Sequence, residues 1–179
     1  ASAVVALAAT GVCAGLLWWS YFDRAQGALE HRIEALDGAE RGRFARDAYT
    51  YLHAPIVAGV ILVAVALEDM ALHPDEPTAL AFRMILIGGI ALFFGGIVAA
   101  VHRAYRFVPK ERLVATAVLA GVLSAAADVD GVWLIVALDV VLIGALVFEH
   151  LRIEVHPTSP TDPPIHTEQE AATDADHDR

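Results

Sequence analysis

Asp139 stands near the centre of an apolar run, Gly131–Phe148, that contains no other charge. A carboxylate halfway across a bilayer costs on the order of 3 kcal/mol on insertion scales. It must therefore face protein, and be neutral, hydrogen-bonded or paired. Arg83 is the cation at comparable depth. Helical rise counted from Thr78 and Gly131 places Arg83 ~7 Å and Asp139 ~12 Å below the same surface. An arginine side chain can bridge that difference if the two helices adjoin. The expectation is an ion pair that fixes helix rotation or, alternatively, a substrate- or proton-coupled site. His53 lies about one turn inside the run Tyr49–Leu67, two residues before Pro55. Imidazole titrates near neutrality and can relay a proton, although an interfacial histidine bonded to nearby backbone is the simpler expectation. Asp23 ends the first apolar run at the same membrane face as His53, so it can cap backbone or reach His53.

Other chemistries find little footing. The sequence has no Walker-type glycine loop, no His-x-x-x-His pair and no serine in a nucleophile elbow. The single cysteine, Cys13, has no intrachain disulfide partner. The tail histidines, His156, His166 and His177, are too scattered for a metal site. No catalytic residue, metal or cofactor is expected, and the chain is not expected to be an enzyme. No basic stripe with interleaved aromatics suggests nucleic-acid binding.

The elements that must position these groups follow from hydropathy. Of the 179 residues 57% are hydrophobic and the mean hydropathy is +0.55. A soluble domain of this size cannot bury so much apolar surface, so the composition points to an all-α polytopic transmembrane bundle. At ~1.5 Å per residue, ~20 residues cross a ~30 Å hydrocarbon core. The expected spans are residues 1–22, 49–67, 78–101, 112–127 and 131–149. The fourth is short, and the polar turn Asp128–Gly131 joins it to the fifth. Residues 23–48 read as an amphipathic connection, with Leu29, Ile33 and Leu36 at helical spacing and i,i+4 pairs Asp37–Arg41 and Arg43–Asp47. Residues 155–179 are rich in Pro, Thr, Asp and His and are expected to be disordered. From Glu154 onward seven acids face one base, so the tail carries −6 of the net charge of −10.

Five arginines (Arg24, Arg32, Arg41, Arg43, Arg46) lie in the first connection. Arg103, Arg106, Lys110 and Arg112 lie in the third, and Arg152 follows the last span. The facing connections, Glu68–Pro77 and Asp128–Asp130, hold none. The positive-inside rule then puts residue 1 outside and the tail in the cytoplasm. Stripes of small residues, Ala91-Gly95-Ala99, Gly96-Ala100-Ala104 and Ala117-Gly121-Ala125, are expected to be helix-packing faces. Trp18, Trp19, Tyr21, Tyr49 and Tyr51 sit where an aromatic belt belongs.

Three patches carry a resemblance: Leu17-Trp18-Trp19-Ser20-Tyr21-Phe22-Asp23, then Ala45 to Gly59 (ARDAYTYLHAPIVAG), then Ala66-Leu67-Glu68. Together they resemble the bacterial low-temperature-requirement protein A family, most specifically over residues ~15–70. The resemblance implies a multi-pass protein of the bacterial cytoplasmic membrane, named for a growth phenotype in the cold and without a settled biochemical activity. It puts Trp18, Trp19, Tyr21, Phe22, Asp23, Tyr51, His53 and Pro55 on family-motif positions; Asp139 and Arg83 rest on physics alone. Family members are about twice as long, so the chain, which starts at Ala1, is expected to be a C-terminal half. Its implied partners are the lipid bilayer and the missing N-terminal half, with homo-oligomerisation left open. The leading expectation is a transporter or permease with an intramembrane polar site, linked to cold or stress adaptation. The alternative is a non-transporting scaffold or bilayer sensor.

Overall fold

Apolar runs can satisfy their backbone in lipid only by closing every hydrogen bond within the segment, and this chain does so as helices. The structure is a computed structural model that describes residues 1–106, 108 and 110–154; the side chains of residues 23–25, 28, 111 and 152–154 lie outside that description. The expected disordered tail, 155–179, also lies outside it.

The helices are α1 (Ser2–Ser20), α2 (Gly27–Glu34), α3 (Gly38–Arg46), α4 (His53–Leu72), α5 (Leu80–Tyr105), α6 (Lys110–Ala125) and α7 (Gly131–Glu154). Two π-helical turns, Tyr21–Gln26 and Asp47–Tyr51, end α1 and introduce α4. Among the described residues four helical stretches are long and apolar enough to cross a membrane; three contain α1, α4 and α5, and the fourth is Gly131–Leu151 of α7. The apolar part of α6, Arg112–Ala125, is shorter. Residues 1–149 form one unit, and the last turn of α7 belongs to a second that begins at His150.

The long helices are apolar all round, so the buried face is chosen by shape rather than by amphipathicity. On α1 it runs through Ala6, Ala9, Cys13, Leu17 and Ser20. The closest approach is between α4 and α5. A Cβ on Gly59 would lie 2.6 Å from both the Gly89 carbonyl oxygen and the Phe93 amide nitrogen, so only glycine fits there. Gly96 is similarly closed by Ile56. Of the three expected packing stripes, Gly96-Ala100-Ala104 is buried as foreseen. Ala117-Gly121-Ala125 is exposed, and Gly95 faces open space. Small residues permit a close contact but do not create one; a partner backbone must lie opposite.

The connection between α1 and α4 is helical, and it docks. Leu29 of α2, Phe44 of α3 and Ala48 pack with Ala100 and Ala104 of α5, with Ile33 and Leu36 flanking. The Arg103 guanidinium lies 5.5 Å from the centroid of the Phe44 ring and donates to Asp47 at 3.2 Å. The expected Arg43–Asp47 pair is absent because Asp47 faces Arg103 and Arg46 instead. Asp37 serves α3 through its backbone, accepting from the Arg41 amide rather than pairing with the Arg41 side chain.

At the opposite end, where the connections hold acids and no lysine or arginine, the two loops are tied together. Gly131 N–H donates to the Glu76 carbonyl at 3.0 Å and Val132 N–H to the Pro74 carbonyl at 3.1 Å. Pro77 and Asp130 form an isolated antiparallel bridge.

Candidate functional site

Three polar arrangements interrupt the apolar interior. In the first, α7 carries Asp139 into the contact with α1, where it is only 7% exposed. The Cys13 side chain of α1 lies beside its carboxyl. Carboxyl oxygen Oδ1 has no hydrogen-bond partner. The heptad stripe Asp139, Leu142, Leu146, Glu149 then follows α7 toward the end that carries the basic connections.

The expected Arg83–Asp139 pair does not form. Arg83 is buried, but its Nη1 donates to the Leu123 carbonyl at 3.2 Å. Leu123 lies in the last turn of α6, where carbonyls have no intrahelical donor and the helix dipole favours a cation. That local demand holds the guanidinium at the end of α6 rather than at Asp139 on α7. Arg83 Nε remains without a partner.

The second arrangement was not anticipated from sequence. Arg112 of α6, 5% exposed, donates through Nη2 to the Ser20 carbonyl at 3.1 Å and to Glu149 Oε1 at 3.4 Å. It therefore clamps the end of α1 to α6 and α7. The clamp borders a cavity of about 10 Å³ lined also by Leu16, Phe94 and Leu146. Arg112 Nη1 and Ser20 Oγ are buried beside it without partners. A space of that size is near the minimum for one water molecule. In sequence Arg112 counted only as one of the basic loop residues. The usable signal was depth, since Glu149 leaves the last span at the same membrane face.

The third arrangement joins the motif residues. The Tyr21 hydroxyl lies 3.4 Å from His53 Nδ1, and the rings meet edge to face at 5.7 Å. Phe22 packs edge-on to Tyr21 and stacks with Trp18 at 5.1 Å. This group closes one end of a groove of about 850 Å³ between α1 and α4, which continues past Leu17 and Val60 to Leu7 and Glu68. Both π turns are recruited here: one presents Tyr21 and Phe22, the other leads directly into His53. Local π geometry resets the rotation of a helix and recurs at functional positions. The Asp23 side chain, expected near His53, lies outside the described residues. Trp19 and Tyr51 point outward, with Pro55 inside the first turn of α4 where its missing N–H costs little. Among the described residues no group of three or more His, Cys, Asp and Glu side chains is placed to hold a metal ion.

Comparison with known proteins places these features in context. A family model described as bacterial low temperature requirement A protein (LtrA) matches residues 1–147. An uncharacterised protein of Rhizobium meliloti (strain 1021), RA0937, is 32% identical over 99 residues, 55% of this chain and 24% of that protein. The match thus spans about a quarter of the relative's length. No solved structure matches significantly.

Proposed function

The chain belongs to the bacterial low temperature requirement A family, and from that premise we propose that it forms part of a membrane permease in which Asp139 carries a coupled proton. Family and apolar helices together make it an integral membrane protein. The observation that carries the permease reading is the Asp139 environment. A purely structural carboxylate at this depth would be expected to pair with a cation, whereas Asp139 has a thiol neighbour and a spare oxygen. Such a group can take up and release a proton as its surroundings change. His53, at the Tyr21 contact, is the second proton-handling side chain of this reading, and Arg83 and Asp23 are the remaining candidate polar residues. The charge pattern of the connections favours the cytoplasmic membrane, with residue 1 outside. The reading requires no catalytic residue and ties the protein to growth in the cold, as the family name suggests.

The test is proton flux. Protein reconstituted in liposomes under an imposed pH gradient should show protein-dependent proton movement that Asp139→Asn abolishes and His53→Ala reduces. Flux that is unchanged in Asp139→Asn, or no protein-dependent flux at all, overturns it. One observation favours the scaffold or bilayer-sensor alternative: α6 has 16 residues, ~24 Å of helix against a ~30 Å core, and would respond to bilayer thickness. Under that alternative Asp139→Asn changes only thermal stability.

A further inference from the structure

We propose that the groove between α1 and α4 binds a single-tailed amphiphile with a planar, carbonyl-bearing head, the chemistry of a prenylated quinone. The head would lie against Tyr21, His53 and Trp18. This inference is independent of the role assigned to Asp139, which does not line the groove.

The groove has the volume of a ligand site rather than a packing defect: about 850 Å³, within the ~300–1,000 Å³ of small-molecule pockets. Its long axis is apolar. The one hydroxyl along it, on Thr10, already donates to the Ala6 carbonyl at 2.9 Å and offers no free donor to a ligand. From Leu7 to Tyr21 is ~21 Å of helix, so an extended tail finds a matching channel.

The polar groups at the Tyr21 end select the head. When the Tyr21 hydroxyl donates to His53 Nδ1, the neutral imidazole carries its own proton on Nε2, and that N–H is a donor for a carbonyl placed beside it. Among the described residues the groove's lining offers no lysine or arginine to pair with a phosphate head. Trp18 and Phe22, stacked on each other and respectively 59% and 45% exposed, offer flat faces to a planar ring. A flat head that accepts hydrogen bonds, carries no charge and trails a long apolar chain satisfies each of these conditions at once. A transmembrane helix from another chain would fill the volume but would leave the His53 N–H unpaired.

Tryptophan emission can test this. Trp19 and Trp133, both exposed, are replaced by Phe so that Trp18 alone of the three tryptophans reports. The protein in phosphatidylcholine nanodiscs is titrated with a decyl-substituted benzoquinone. Saturable quenching is expected, with the apparent dissociation constant raised about tenfold in Tyr21→Phe/His53→Ala, as loss of the head's hydrogen bonds requires. Val60→Phe fills the channel without touching the head contacts and should also weaken binding; it keeps the test valid should the double variant fail to fold. Quenching that rises without saturation and equally in all variants would mean simple partitioning into lipid, and overturns the site. Equal competition by decyl phosphate overturns the head assignment.

Discussion

The α4–α5 and α1–α4 contacts are built from similar residues and end up opposite in character. Between α4 and α5, Gly59 and Gly89 face each other's backbone and the helices touch. Along α1, Gly11 and Gly15 meet nothing within 4 Å, and a groove runs beside it. Instead α1 buries its other face, Ala6 to Ser20, with Cys13 beside Asp139 near its middle and the Ser20 carbonyl accepting from Arg112 at its end. Where lipid is as apolar as the side chains, association needs either dense backbone packing or polar contacts, and this chain uses the first between α4 and α5 and the second where α1 meets α6 and α7. The first solution makes a rigid pair. The second leaves α1 packed on one face, with free volume on the side of α4.

The largest effect that would break this contrast is at Gly59. Gly59→Leu drives four carbons into backbone that cannot yield, and should cost about 3 kcal/mol or more, read as loss of the folded fraction in detergent melts. Next is Glu149→Leu, which leaves Arg112 buried and without its carboxylate. A loss of about 3 kcal/mol is expected, together with increased protease access at the end of α1. Asp139→Asn preserves shape and a polar side chain beside Cys13, so stability should change by about 1 kcal/mol or less while coupled flux disappears. Smallest is Gly15→Leu on the open side of α1, expected within ~0.5 kcal/mol of the parent by the same melts. A large loss there would mean that α1 is packed against protein on that side, and the contrast would fail.

Sequence made the helices visible and their rotations obscure. Long runs such as Gly131–Phe148 announce their class through composition, and a helix lies over each expected run with shifted ends. α4 runs to Leu72 and α5 to Tyr105, several residues past the expected limits, because a helix continues where its backbone bonds continue rather than where hydropathy falls. Rotation was not legible because a helix apolar on every side has no moment to read. For this reason the Ala117-Gly121-Ala125 stripe was expected inside and lies outside, while Cys13 was not recognised as the neighbour of Asp139. Arg83 was misassigned for another reason. A carbonyl at a helix end is a strong acceptor for an arginine, and sequence gives no sign of which helix ends nearby. Arg83 and Arg112 both make this choice, one at the end of α6 and the other at the end of α1. The Tyr21–His53 meeting, by contrast, was within reach of sequence, since both residues sit on matching depths of the first two spans and in the same recognisable motif set.

The hydrogen bonds from the Gly131 and Val132 amides to the Glu76 and Pro74 carbonyls have a mechanical consequence. They fasten the α4–α5 turn to the start of α7, and Gly131 lies so close to Met70 that its missing side chain is what allows the seal. The bundle is therefore pegged shut at this end like the spring of a clothes-peg. Rocking of α7 against α4 and α5 would pivot there, and the jaws would open at the far end, where the Arg112 guanidinium bridges α1, α6 and α7.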